Sequence, residues 1–280
     1  MRFFIYSFIF LLIVSCATTP NKEFALQDLA YQNEIKIIKK DLANAEFSLR
    51  KFDYKNSGRF YLKAIDASQK INYNSGIVAG LNNLGVLTLR TNSEQALVYF
   101  KKALSKCEYS QDRSDCYNNI GFYYLTLKDK QALDYFEKAL KLNKNSEKKY
   151  HILNNIGLYY FNRGQSSKAR KLFQKVIKTS EKKHYYQLQC KSLLNLGDTF
   201  LQEDKNGAEE YYKSSLDTAH FWEYDIGMLE ALKKIIFVIE DREDQTDLYL
   251  YYKALANLHK KFHLEEAYKK DLSILKKIKK

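Results

Sequence analysis

The sequence predicts an all-α solenoid, a stack of helical hairpins closed by a C-terminal capping helix. Three observations carry this. The 280 residues include a single proline, Pro20, so helices can run without the break that a locked φ and a missing N–H impose. Aromatics are abundant, with 23 tyrosines and 17 phenylalanines, and supply bulky packing residues. Above all, the chain repeats itself. Asn82-Asn83-Leu84-Gly85, Asn118-Asn119-Ile120-Gly121, Asn154-Asn155-Ile156-Gly157 and Leu194-Asn195-Leu196-Gly197 place their glycines 36, 36 and 40 residues apart. Periods in this range mark arrays whose units bury an apolar face only against neighbours.

Each glycine is followed by an alanine (Ala96, Ala132, Ala169, Ala208) and four residues later by an aromatic (Phe100, Phe136, Phe173, Tyr212). A small or β-branched residue comes three further on (Ala103, Ala139, Val176, Ser215). Leu153, Ile156 and Tyr160 form a helical stripe on a first helix, A, and Ala169, Phe173, Val176 and Ile177 form one on a second, B. Glycine on A and alanine on B then mark the closest approach of the two backbones, with the aromatic filling the gap toward the next hairpin. Polar turns separate the helices at Thr91-Asn92, Lys128-Asp129, Asn162-Arg163-Gly164 and Glu203-Asp204. Asn92 reads as a helix cap with Gln95, and Gly164 suits a left-handed helix end.

Clear repeats cover about 78–110, 114–145, 150–180 and 190–219. A degenerate copy over 35–70 starts from the stripe Ile35, Ile38, Leu42, Ala45, Leu49 and Phe52, with Ser57, Tyr61 and Ala64 at the B-helix offsets. Another covers 223–259, with Tyr251 and Ala254 at those offsets. Residues 263–279 read as a capping helix. The expected organisation is six hairpins and a cap in one domain, 23–280, because terminal units of such arrays are atypical.

This pattern of small residues at the A–B contact, an aromatic and then alanine resembles the tetratricopeptide repeat over residues 78 to 219. The resemblance implies a right-handed superhelix with a concave inner wall lined by the A helices. The usual proline after helix B is absent, so the turns must close by other means. In members of this family that bind extended peptides, asparagines at this place on helix A form a ladder along the peptide backbone. The resemblance therefore makes Asn83, Asn119, Asn155 and Asn195, with their neighbours Asn82, Asn118 and Asn154, candidate partner-binding residues. An amide offers both a donor and an acceptor to a peptide unit. The alternative is that asparagine serves the packing of the array itself.

The first fifteen residues read as a signal peptide. Arg2 precedes the apolar run Phe3 to Val14, which is shorter than the roughly 20 apolar residues a membrane span needs. Leu12-Ile13-Val14-Ser15-Cys16 resembles the lipobox of bacterial lipoproteins, which implies lipidation of Cys16 and a spacer over 16–22. A cut after Ala17 or an uncleaved anchor are the alternatives. Two or more acyl chains anchor stably where one does not. Ala17 after the cysteine, by analogy with well-studied lipoproteins, favours the outer membrane facing the periplasm.

The formal charge of +13 suits anionic partners, or is a lysine-rich solvated surface. Export makes nucleic acid a poor candidate. Neither a catalytic constellation nor a phosphate-binding loop is evident, and no cofactor, metal or enzymatic activity is expected. His259 and His263 share a helical spacing without a third ligand and read as a surface pair. Cys107 and Cys116, nine positions apart across a polar loop, are either a disulfide permitted by an oxidising compartment or two small buried thiols. The function expected is a lipid-anchored scaffold or adaptor binding envelope proteins or extended peptides, of the assembly, secretion or pilus-biogenesis kind. The alternative is a receptor for peptides or peptidoglycan fragments using the same groove.

Overall fold

The computed structural model describes residues 22–143, 146–242 and 245–278. Signal peptide and Cys16 lie outside the described residues. Among those described, the fold is thirteen helices and no strand. They pair in chain order as α1 (Lys22–Arg50) with α2 (Tyr54–Lys70), α3 (Asn74–Thr88) with α4 (Ser93–Ser105), and α5 (Ser110–Thr126) with α6 (Gln131–Leu142). There follow α7 (Ser146–Asn162) with α8 (Ser166–Lys183), α9 (Tyr186–Asp198) with α10 (Lys205–Phe221), and α11 (Asp225–Ile239) with α12 (Thr246–Lys261). Helix α13 (Glu265–Ile278) covers the end. Helix α1 starts well before the apolar stripe at Ile35, and its residues 27–34 are exposed.

One contact builds the hairpins. Phe100, Phe136 and Phe173 are wholly buried and Tyr212 is nearly so. A Cβ placed on Gly85, Gly121, Gly157 or Gly197 would sit 2.5 to 2.7 Å from the ring of the aromatic in the same hairpin. The aromatic therefore fills the space over its own hairpin's glycine, not a gap toward the next hairpin as the spacing suggested. Backbone approach contributes as well, since the same Cβ on Gly197 would lie 3.0 Å from the Ala208 carbonyl oxygen. Ala96, Ala132, Ala169 and Ala208 are fully buried at that approach. Tyr212 takes the place of phenylalanine because its hydroxyl finds a partner, donating to Asp198 Oδ1 at 2.7 Å; a buried tyrosine otherwise strands its polar tip.

Seven of the turns close without proline by a single device. Phe52, Asn72, Lys128, His184, Glu223 and His263, together with Gly164, have φ between 51° and 70°. In each case the next residue's N–H reaches five residues back, as in Asp53 to the Ser48 oxygen (2.9 Å), Tyr185 to the Ser180 oxygen (2.9 Å) and Tyr224 to the Ala219 oxygen (2.7 Å). This left-handed helix end satisfies carbonyls that the last turn leaves free. Six of the seven are not glycine, at a conformational cost of about 1–2 kcal/mol each. Phe52 therefore ends α1 instead of extending its stripe. Asn92 accepts from the Gln95 N–H at 2.9 Å, as its place before α4 suggests.

The stack curves until its ends meet. Phe52, at the tip of the first hairpin, packs edge-on against Phe262 in the α12–α13 turn, with ring centroids 4.9 Å apart. The Lys51 ammonium lies 5.8 Å from the centre of the Phe262 ring. His259 is buried, not a surface residue paired with His263. Its Nδ1 lies 2.6 Å from Asp271 Oδ2, tying α13 to α12.

Candidate functional site

The A helices α1, α3, α5, α7 and α9 line the inner wall of this curve and enclose a groove of about 960 Å³. Its walls carry asparagines, Asp112, Asp115, Glu147, Lys148, His151 and Lys191, and Glu46 reaches it from α1. The alanine-and-aromatic faces of the B helices are turned into the hairpin contacts, which leaves the polar A-helix face to the groove.

The structure separates the candidate asparagines into two kinds. Asn83 and Asn119 line the groove, are partly exposed, and make no side-chain hydrogen bond among the described residues. Asn155 also lines it, but its Nδ2 donates to Asn118 Oδ1 at 2.9 Å. Asn195 is buried away from the groove and donates to Asn154 Oδ1 at 3.1 Å. That oxygen also accepts from the Ser192 hydroxyl at 2.9 Å. The two bonds share one geometry: the asparagine two before the glycine in one repeat bonds the asparagine three before it in the preceding repeat. So four asparagines do not form one open ladder. Two of them, Asn155 and Asn195, stitch neighbouring A helices together, and the other two face the groove without a side-chain hydrogen bond among the described residues. Asn82 lines the groove too and donates to Cys116 Sγ at 3.2 Å.

Cys107 and Cys116 are free thiols in contact, with sulfurs 3.3 Å apart. The thiol–thiol contact holds Cys107 below its ordinary range, and it pushes buried Cys116 up. Cys190, also free, is buried against the Ser215 carbonyl.

The groove's charge is mixed. Burial pushes His151 down to about 4, aided by Lys191 and Lys148, so its imidazole is neutral at physiological pH although the ring is partly exposed. Desolvation by the surrounding concave wall likewise holds Lys191 below the usual lysine range, opposed by Glu230, although the residue keeps exposed surface. Burial first, and then Asp115, pushes the Asp112 carboxyl up. Lys148 pairs with Asp115 at 2.5 Å. Sequence reasoning missed Asp112, His151 and Lys191, because they precede the aligned asparagines by one or two turns and repeat in no regular way. Their shared signal is position: each lies on the asparagine face of its A helix. Among the described residues, no group of three His, Cys, Asp or Glu side chains could hold a metal ion. No described helix is long and apolar enough to cross a membrane.

Residues 114–146 and 148–219 match models of the tetratricopeptide repeat. No curated protein matches the chain. Solved structures share its fold. A Rap protein complexed with competence and sporulation factor superposes with a TM-score of 0.61 at 16% identity, over 93% of this chain and 81% of that one. NprR in complex with its cognate peptide NprX gives 0.58 at 18% identity, over 91% and 78%. Aspartyl phosphate phosphatase F from Bacillus subtilis gives 0.58 at 13% identity, over 86% and 84%. The chain is an all-helical solenoid that carries tetratricopeptide repeats.

Proposed function

We propose that this chain is a lipid-anchored adaptor of the bacterial cell envelope that holds a partner protein by an extended segment laid in the α1–α9 groove. The observation that carries it is the pair of amides, Asn83 and Asn119, unengaged within the protein and facing a groove of about 960 Å³. Buried or half-buried polar groups normally find partners within the fold, so amides left open on a concave wall suit a peptide backbone. Adjacent A helices lie about 8–10 Å apart, so the wall from α3 to α9 spans about 27 Å, the length of about eight extended residues. The peptide-bound Rap and NprR structures, alike in fold, support this use of the groove.

Anchoring rests on Leu12-Ile13-Val14-Ser15-Cys16. On this reading the chain is exported, cut before Cys16, acylated there, and held at the outer membrane facing the periplasm. Growth with a labelled fatty acid tests it: wild type takes up label, and Cys16→Ala does not and leaves the membrane fraction. Label on Cys16→Ala, or no label on wild type, refutes the anchor. Affinity purification from crosslinked membranes tests the adaptor. Each lost hydrogen bond costs about 1 kcal/mol, so Asn83→Ala with Asn119→Ala should weaken partner capture by roughly 30-fold with an unchanged melting curve. Capture unaffected by the pair refutes the groove reading.

A further inference from the structure

A second cavity, of about 330 Å³, lies apart from the groove, between α11, α12 and α13 at the capped end of the stack. Each helix gives it one face. Lys233, Ile236, Phe237 and Glu240 follow one another at helical spacing along α11, and Ala267, Lys270, Asp271 and Ile274 do the same along α13. Tyr252, Leu255 and His259 come from α12. The wall between the charged residues is apolar, and Phe237 keeps 58% of its surface open to water there.

The polar exception in the floor is His259. It is 4% exposed, and its Nδ1 is taken by Asp271 Oδ2 at 2.6 Å. Its Nε2 makes no hydrogen bond among the described residues. That nitrogen is not sealed in as Asn82 Oδ1 is, because the ring forms part of the cavity wall. Buried polar groups otherwise find partners within the fold, so a free ring nitrogen at the bottom of a cavity points to a ligand. The carboxylate on Nδ1 fixes the direction in which Nε2 faces. Paired as an ion with Asp271, the ring carries hydrogen on both nitrogens, and Nε2 donates into the cavity.

Charge is graded along the cleft. Glu240 lies two turns beyond Lys233 on α11, about 10 Å, toward the connection to α12. His259 is in the last turn of α12, and Lys270 follows in the first half of α13, so both stand toward the opposite end. Lys233 and Lys270 are exposed and make no ion pair among the described residues. The imidazole thus sits at the basic end of an apolar cleft.

We infer that this cleft is a second binding site, for a small organic acid, with an apolar body against Phe237, Tyr252 and Leu255 and a carboxylate on His259 Nε2 between Lys233 and Lys270. The volume is at the lower end of small-molecule pockets, and the graded length of about 10 Å suits one such molecule.

The test is NMR of the full chain in lipid nanodiscs with histidine isotope-labelled at Cε1, the His259 signal being assigned by its loss in His259→Gln. Phenylbutyrate should shift that signal saturably and bind at least about tenfold more tightly than phenylbutanol, which has the same body without the charge. Lys233→Met with Lys270→Met should erase most of this preference, as expected of two exposed ion pairs, and leave the melting curve unchanged. Non-specific attraction to a chain of charge +13 would act on His151 as readily as on His259. A carboxylate that moves His151 and leaves His259 in place overturns the site, as do equal affinities for the acid and the alcohol. Tighter binding at His259 by acetyl-Gly-Gly-Phe with a free carboxylate overturns the small-acid assignment in favour of a peptide C-terminus. None of these outcomes depends on the α1–α9 groove, so this site and the adaptor reading stand or fall separately.

Discussion

Replacing Gly157 with alanine tests the packing rule on which the array is built. In an ordinary helix interior the change stabilises by about 1 kcal/mol, the difference in helix propensity. Here the new Cβ would lie 2.5 Å from Phe173 Cε1 and 3.0 Å from its Cδ1 and Cζ. Phe173 has no exposed surface, so its ring has no free side to retreat to. Overpacking a filled core costs about 1–3 kcal/mol, occasionally more, and a contact this short belongs at the upper end. The net expectation is a loss of about 2 kcal/mol, or roughly 4–8 °C in Tm for a chain of this size. Gly58 on α2 is the matched control. A Cβ there meets only Leu87 Cδ2, at 3.3 Å, the end of a partly exposed side chain that can rotate away. Gly58→Ala should therefore be stabilising by about 0.5–1 kcal/mol. Urea unfolding followed by circular dichroism reads both. Phe173→Leu in the Gly157→Ala background should cost less than the sum of the single changes, because the clash is shared. If both glycine variants move stability in the same direction, or the double variant is simply additive, the aromatic does not seat on the glycine and the reasoning fails.

Asn154→Ala removes the oxygen that accepts from Ser192 and Asn195, so it should destabilise by about 2 kcal/mol through two orphaned buried donors, whereas Asn119→Ala should leave urea unfolding unchanged. Equal effects of the two would erase the distinction between stitching and groove-facing asparagines. His151 should titrate near 4 by NMR. Its folded pKa lies below the ordinary 6.5, so its contribution to stability is fully present above 6.5 and is lost as pH falls toward 4. Lys191→Met should move that titration upward, and a wild-type His151 midpoint near 6.5 would show that it faces open solvent. Alkylation under denaturing, non-reducing conditions should label Cys107, Cys116 and Cys190, all free thiols; a mass two labels short would show Cys107 and Cys116 bridged.

The hairpins were legible because their cause is local. A glycine, an alanine and an aromatic at fixed spacing describe one contact between two adjacent helices, and four copies of it can be aligned by eye. Even so, the pattern was silent on which contact the aromatic makes. Spacing alone cannot say whether Phe136 faces its own glycine or the following hairpin, since both lie within a side chain's reach of α6. The asparagines failed as a uniform set for a related reason. Asn83 and Asn155 are equivalent by alignment, yet Asn155 has Asn118 to bond, while Asn83 follows a degenerate repeat with no asparagine at the matching place. A side chain's availability to a ligand depends on what the neighbouring repeat offers, and that neighbour lies about 36 residues away.

Curvature was the least legible feature, and it is the one that makes the site. In a solenoid each junction contributes a small rotation set by how the side chains of two hairpins interlock. No single junction announces the total. Only when six hairpins have accumulated their rotations does Phe52 arrive 4.9 Å from the Phe262 ring. That contact joins residues that sit in left-handed turns or beside them, at Phe52 and His263, so the same backbone device that replaces proline also presents the two rings to each other. With the ends in contact, the array cannot straighten without separating Phe52 from Phe262 and withdrawing Lys51 from that ring. The depth that holds His151 near 4 and keeps Asp112 raised is a consequence of the same curve, because an open, flat wall would hydrate both. The electrostatics of the groove are thus set by the closure of the whole stack, and the residues that carry them become interpretable only once that closure is known.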